Sequence, residues 1–402
     1  MIWDKVKLGD VSDSCLGKML DQRKNKGTYK PYLANVNVRW GAFDLENLQE
    51  MKFEDDEDER YGIKYGDLII CEGGEPGRCA IWKEQLPNMK IQKALHRVRV
   101  NEEMDYRYVY YWFLLAGKQG ALKQYYTGAT IMHMPGQKLK EVAIDKPQLN
   151  VQRRIGDYLE AFDNLIENNQ KQIKLLEEAA QRLYKEWFVD LRFPGYENTP
   201  IIDGVPEGWN PCAIKDICLR INAGGTPSRR NLNYWNNPKI KWYKTGELQD
   251  CWLIDAEEYI SEDGLNNSSA KIFPKNTIVM AIYASPTLGR LGILSSEAAC
   301  NQAALCLTAD EKIITWQWLY HKLYELRDDF NAVAKGAGQQ NISADVVKNK
   351  VVLLPNKELI EKFTLIVKSM FDKRLALQLQ NKQLVEARDR LLPKLMSREI
   401  EI

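Results

Sequence analysis

Residues 150–189 read NVQRRIGDYLEAFDNLIENNQKQIKLLEEAAQRLYKEWFV, and their spacing decides the architecture. Ile155, Leu159, Phe162, Ile166, Asn169, Ile173, Leu176, Ala180, Leu183 and Trp187 follow one another at alternating intervals of four and three residues. That is the a/d seam of a heptad, which keeps an apolar stripe on one side of a long helix. At 1.5 Å per residue the stretch predicts a rod of roughly 55–60 Å. A second stretch keeps the same rhythm through Phe363, Val367, Met370, Arg374, Leu377, Asn381, Leu384, Arg388, Leu391 and Leu395, seven of the ten being apolar. Asn169 and Asn381 fall inside the seams, where a buried amide fixes register at some cost in stability. The first helix leads only into a connector and the second into the C-terminus. An intramolecular antiparallel coiled coil is therefore expected, rather than two helices each packed on its own core.

Outward from the helices the chain reads twice, at a period near 209 residues. Trp3, Asp10 and Val11 are echoed by Trp209, Asp216 and Ile217, and Gly77-Arg78 by Gly289-Arg290. Gln92, Ala94 and Leu95 are matched with Gln302, Ala304 and Leu305, Gly128-Ala129 with Gly336-Ala337, and Pro147 with Pro355. Within the helices, Leu175, Glu177, Leu183 and Lys185 return as Leu384, Glu386, Leu392 and Lys394. One match is weak, but many in the same order are a duplication. The expected organisation is a module at 1–149, a helix at 150–190, a connector at 191–205, a second module at 206–355 and a second helix at 356–402. The fold class is α+β, two pseudo-repeated mixed α/β modules separated by two long helices. In the first module Lys64–Cys71 and Ile91–Val100 read as strands and Asp105–Tyr126 as an amphipathic helix. In the second, Lys271–Ile282 and Ala299–Leu307 read as strands and Thr315–Val333 as a helix. The connector carries prolines and glycines without apolar periodicity.

Composition excludes several classes. The 402 residues hold 56 basic and 55 acidic side chains, a net charge of +1, so this is no polycationic coat and no acidic tail. Eight cysteines are too sparse for a disulfide scaffold, and with no CxxC pair and three histidines a metal site has no support. The N-terminal MIWDKVKLGD lacks an apolar signal region and no apolar run approaches the length of a membrane span. A soluble cytoplasmic protein with reduced thiols is expected. There is no GxxxxGK[ST], no GxSxG and no NPPY or DPPY string, hence no positive case for catalysis. Gly73-Gly74-Glu75-Pro76-Gly77 follows a strand without opening a helix, which argues against a phosphate cradle. Glu54–Glu59 (EDDEDE) reads as a solvated loop.

Two equivalent modules on an antiparallel helix pair have approximate two-fold symmetry, as the backbone of duplex DNA does. Half-sites one turn apart are separated by about 34–36 Å, within reach of such a rod. Unlike modules would read unlike half-sites, giving a bipartite asymmetric site. Ala223–Trp235 (AGGTPSRRNLNYW), Ile240–Leu248 (IKWYKTGEL), Cys71–Trp82 (CEGGEPGRCAIW), Gly336–Ile342 (GAGQQNI), Arg182–Gly195 (RLYKEWFVDLRFPG) and Ala387–Ile400 (ARDRLLPKLMSREI) together resemble the specificity (S) subunits of type I restriction–modification systems. The resemblance covers essentially the whole chain, although Ser14–Tyr29 lacks the GGTPSR string of the second module's opening. It implies two target-recognition domains, each reading half of a bipartite double-stranded DNA site. It also implies helices that separate them and dock two methyltransferase (M) subunits, with restriction (R) subunits of translocase and endonuclease activity joining that core. The chain itself would be non-catalytic and without cofactor, S-adenosylmethionine, ATP and Mg belonging to the partners. The alternative is a coiled-coil scaffold or adaptor without DNA contact.

Candidate DNA contacts follow from residue type and loop position. Ser228, Arg229 and Arg230 lie at a Gly-Gly-Thr-Pro-Ser turn, from which arginine reaches phosphates or pairs with a guanine edge; solvated loop charge is the alternative. Lys244 is a candidate backbone contact. Arg23, Lys24 and Lys26 form the corresponding basic loop of the first module, with Arg39 and Trp40 nearby. Gln339, Gln340 and Asn341 crowd three amides into a glycine-flanked loop suited to adenine, and Thr130 and His133 occupy the matching place in the first half. Arg78 and Arg290 repeat between the halves, which favours a shared structural or phosphate role over base reading. Residues 1–149 hold 23 basic and 22 acidic side chains and residues 206–355 hold 16 of each. That balance suits a reader that binds weakly alone and tightly with basic partner subunits.

Overall fold

The computed structural model of the chain describes residues 3–21, 25–283, 287–334 and 341–401. It divides into two compact units, Met1–Ile166 with Gln383–Ile402, and Glu167–Lys382. Each unit contains one module and part of each long helix, so the sequence repeat (module, then helix) is not the compact unit.

In the first unit the strand Asp4–Lys7 pairs antiparallel with Ala143–Lys146, closing the module immediately before the helix. A four-stranded antiparallel sheet runs in the order Ser12–Leu16, Leu95–Val100, Leu68–Cys71 and Cys79–Ile81. Leu68–Cys71 is buried at all four positions, as a central apolar strand should be. It starts later than its sequence suggests because Lys64–Asp67 form a turn, with Gly66 left-handed and the Asp67 carboxylate accepting the Lys64 amide at 2.7 Å. The expected strand Ile91–Val100 is likewise divided. Ala94 adopts φ +81°, separating Leu95–Val100 from Lys90–Ile91, which joins Thr28–Leu33 and Gln49–Phe53 in a second sheet. The helix expected at Asp105–Tyr126 spans Tyr106–Lys118: Asp105 caps it by accepting the Arg107 and Tyr108 amides, and left-handed Gly120 follows its end. It is fastened to the first long helix by Arg107, which pairs with Asp157 at 2.6 Å and Glu160 at 3.1 Å, and by the Tyr111 hydroxyl, which donates to Asp163 at 2.6 Å.

The acidic run 54–59 is not simply solvated. It folds into Asp55–Glu57 and Asp58–Tyr61 helical turns. Glu57 pairs with the buried Lys18, and Asp58 pairs with the buried Lys90 and with Lys30, each at 2.9 Å. Two lysines inside the module require these acids, because a buried unpaired ammonium is costly.

In the second unit a five-stranded sheet runs Cys218–Ala223, Ala304–Ala309, Ile278–Ala281, Leu291–Leu294 and Cys251–Leu253, beside a four-stranded sheet Glu258–Ile260, Ile240–Tyr243, Ala298–Cys300 and Ile272–Phe273. The two expected strands are again each divided between sheets. A turn at Pro274–Asn276, where Asn276 has φ +68°, breaks the first, and a turn after Asn301 breaks the second. The expected helix Thr315–Val333 is two, Trp316–Glu325 and Arg327–Ala334, with Thr315 capping the first. Arg327, at the break, donates to the Gly289 carbonyl at 2.9 Å and to the Asp250 carboxylate. The connector forms a small hairpin, Ile201–Ile202 with Val205–Pro206, turned by left-handed Asp203 and Gly204.

The long helices are Leu149–Tyr184, continued by a wider π turn at Lys185–Val189, and Lys357–Met396. Within each unit the segments of the two helices pair antiparallel, and all twenty seam positions are buried or half-buried. In the first unit Ile155 and Leu159 share a core with Leu392 and Leu395, and Arg388 pairs with Asp163. In the second, Asn169 donates to Asn381 at 2.9 Å, Arg374 pairs with Glu177 at 3.3 Å, and Trp187 packs on Phe363. The three polar departures in the second seam are thus cross-helix partners.

Candidate nucleic-acid interface

One hairpin is built in both modules and explains the Gly-Arg echo. In the first, strand Leu68–Cys71 turns back through Gly73–Gly77; the Gly77 amide donates to the Cys71 carbonyl and the Cys71 amide to the Arg78 carbonyl, at 2.9 and 2.8 Å. In the second, Gly289 and Arg290 make the same two bonds with Ala281, both at 2.9 Å. Gly77 and Gly289 have φ of +89° and +78°, where a side chain is strained. The repeated glycine therefore serves the turn. Arg78 is itself a brace: it pairs with Glu75 at 3.1 Å and donates to the Asn35 carbonyl at 3.1 Å, with its side chain mostly buried. Arg290 is half-buried at the equivalent place.

Around this hairpin the first module gathers four of its candidates. Asn35 donates to the Gly73 carbonyl at 3.0 Å, and Trp40 to Glu75 at 2.7 Å. Arg39 is exposed, donates to the Val38 carbonyl at 3.1 Å and lies 3.7 Å from Asp44. His133 bridges Gly73 on one side and Thr127 on the other, closing a loop in which Thr130 and His133 are both exposed. Gly128 is required there, since a Cβ on it would lie 2.2 Å from the Ile131 carbonyl oxygen. Lys26 is exposed next to Asn25, whose side chain accepts the Lys52 amide at 2.8 Å, away from the hairpin in the bonding pattern. Arg23 and Lys24 lie outside the described residues.

The second module holds its basic loop against an acidic wall. Gly224 and Gly225 pass close to the backbone of Cys300 and Ser269, where any Cβ would collide. Arg229 lies 3.6 Å over the Trp235 ring and pairs with Glu258. Lys244 reaches Glu257 at 2.8 Å and Glu258 at 3.1 Å, which raises its pKa, while Arg229 foremost holds the Glu258 carboxyl below its ordinary range. Ser228 is exposed and its carbonyl accepts the Trp235 indole N–H at 3.2 Å. Arg230 is exposed and makes no ion pair among the described residues. Asn341 bridges Tyr283 as His133 bridges Gly73; Gln339 and Gln340 lie outside the described residues. Glu257 and Glu258, which hold these cations, have no spacing signal in the sequence because a sheet brings them there, whereas Glu75, three residues before Arg78, and Trp235, six after Arg229, are local partners that the residue types alone did not single out.

The backbone also shifts the repeat match over Gln92–Leu95 by one residue. Gly17 and Gly224 donate to the carbonyls of Leu95 and Ala304, and Gln92 and Asn301 to those of Leu33 and Tyr243. Gln92 and Leu95 are thus equivalent to Asn301 and Ala304, each one residue from the sequence matches with Gln302 and Leu305.

The model of the type I restriction modification DNA specificity domain matches this chain twice, over residues 2–178 and 206–387. The chain belongs to that family. Each matched DNA specificity domain begins at a module and runs well into the helix that follows it. The chain is 28% identical over 351 residues to the type I restriction enzyme MjaIX specificity subunit of Methanocaldococcus jannaschii, covering 84% of this chain and 78% of that protein. It is 24% identical to the HindI specificity subunit of Haemophilus influenzae, covering 99% of each. The fold is shared with the S subunit of the type I system from M. genitalium, at a TM-score of 0.58 and 18% identity over 98% of this chain and 96% of that one. Among the described residues no helix is long and apolar enough to cross a membrane, and no group of three or more His, Cys, Asp or Glu could hold a metal ion.

Proposed function

We propose that this chain is the DNA-reading subunit of a type I restriction–modification complex, in which each module reads one half of a bipartite, asymmetric site. The observation that carries this reading is the hairpin built twice on one scaffold with unlike surroundings. The two bonds of the Gly-Arg turn repeat, while the residues beside it differ: Thr130 and His133 in one module, Asn341 in the other. A scaffold protein has no need of two equivalent frames with divergent tips; a reader of two different half-sites does. In this reading the long helices set the separation of the half-sites and dock two methyltransferase subunits, with restriction subunits joining that core in the cytoplasm. The chain contributes no catalytic group of its own; S-adenosylmethionine, ATP and Mg act on the partners. Its near-neutral modules make binding by the chain alone weak, and the partners supply the electrostatic attraction to phosphate.

The test is an exchange of residues 1–149 for the corresponding module of another specificity subunit, followed by genome-wide mapping of methylated bases. One half of the recognised site should change and the other should stay. An unchanged site in an active complex would overturn the assignment.

A further inference from the structure

Three apolar side chains project into solvent around Gly73 of the first module: Val36, 70% exposed, Ile131, 65%, and Met132, 45%. The backbone brings them together. Asn35, next to Val36, donates to the Gly73 carbonyl at 3.0 Å. A Cβ on Gly73 would lie 2.9 Å from His133 Nδ1 and 3.9 Å from the Met132 carbonyl oxygen. Nor is the loop free to fold back over them. The Thr127 and His133 amides and carbonyls bond reciprocally at 2.7 and 2.9 Å, and the Met134 amide is tied to the Glu72 carbonyl at 2.7 Å. A single exposed apolar residue needs no explanation, but three at one glycine-shaped tip mark a contact surface.

The second module differs at these same places. Val36 is the middle residue of the turn Asn35–Asn37, and Gly246 is the middle residue of the matching turn Thr245–Glu247. Where the first module's loop carries Ile131 and Met132, the other carries Gln339 and Gln340. The first frame therefore presents an apolar tip, where the second module's sequence has glycine and amides in the matching positions. In the major groove the matching chemistries are distinct: the thymine 5-methyl is the apolar feature of a base edge, and amides suit adenine.

We infer that Val36, Ile131 and Met132 are specificity determinants that read thymine through its 5-methyl group, so that the first module's half-site contains a thymine facing this tip. The inference rests on the reader assignment above and adds the base class. Thr130 and His133, exposed beside the apolar group, supply donors that can meet the neighbouring thymine O4.

The test uses the full chain assembled with its methyltransferase subunits, on a duplex carrying the mapped site, with the first module's half identified by the 1–149 exchange. Thymines of that half are replaced one at a time by deoxyuridine, which removes only the methyl. At one position or more, binding should weaken about fourfold, the worth of one buried methyl-sized group. The same replacement should cost nothing in a complex carrying Val36→Ala, Ile131→Ala and Met132→Ala together, whose exposed positions leave the core untouched. A half-site without an A·T pair, deoxyuridine tolerated at every position, or equal losses in both complexes would each overturn the inference. Deoxyuridine tolerated together with reduced DNA bending by the variant would replace it with an apolar wedge between base steps. If the exchange of 1–149 left the site unchanged, the reader assignment itself would fall, and this inference with it.

Discussion

His321 lies in the core of the second unit, 2% exposed, stacked on Tyr184 at 5.3 Å and edge-on to Phe363 and Phe371. Burial, reinforced by the nearby Arg374 charge, pushes its pKa down to about 3. A folded pKa below the unfolded value of about 6.5 means that the fold requires the neutral ring. Its contribution is whole above pH 6.5 and is lost as pH falls from there toward 3, at about 1.4 kcal/mol per pH unit. Replacement by Phe, which fills the same aromatic stack without titrating, should make stability between pH 6 and pH 4 less acid-sensitive by about 2 kcal/mol in urea titrations. Parallel acid limbs for the two proteins would refute this. Neither His321 nor Arg374 was legible as a buried pair in the sequence. The basic loop at Ser228–Arg230 was legible because glycine, proline and serine announce a turn. That Arg229 is clasped by Glu258 while Arg230 makes no ion pair among the described residues was not, since only the sheet brings Glu258 to the loop.

At the scale of elements the helices were the most readable part of the chain, because a heptad is a local pattern and every seam residue obeys it. The strands were readable only as apolar runs. A run such as 271–282 contains no sign of belonging to two sheets except Pro274 and Asn276, whose turn divides it. The seam amides allow a direct test of what holds the helices in register. Asn169 donates to Asn381 at 2.9 Å and to Gln380 at 3.1 Å, inside the second unit. Asn169→Leu alone strands the Asn381 amide against an apolar neighbour and should cost about 1–3 kcal/mol of unfolding free energy. Asn169→Leu with Asn381→Leu replaces both partners and should recover most of that loss, at the expense of register. Chemical denaturation of the two single variants and the double variant forms a cycle. Additive losses would show that the amides act independently.

For the whole molecule, the polar layers determine how the proposed ruler must be tested. Both long helices run from one compact unit into the other, and the layer Asp163 with Arg388 is followed by the layer Asn169 with Asn381. Lengthening only the first helix between Asn164 and Ala180 would slide these layers out of register and mix a spacing effect with a stability loss. The clean variant inserts one heptad into each helix, between Asp163 and Asn169 in the first and between Asn381 and Arg388 in the second. Seven residues keep the seam on one face and add about 10.5 Å at 1.5 Å per residue. That equals about three base pairs at 3.4 Å each. The methylated site in cells carrying this variant should keep both half-sequences and gain about three base pairs between them, read by genome-wide mapping of methylated bases. Because neither module is altered, a changed half-sequence would mean that the helices shape the readers. An assembled, active complex that kept the original gap would mean that the partner subunits, and not this helix pair, fix the distance.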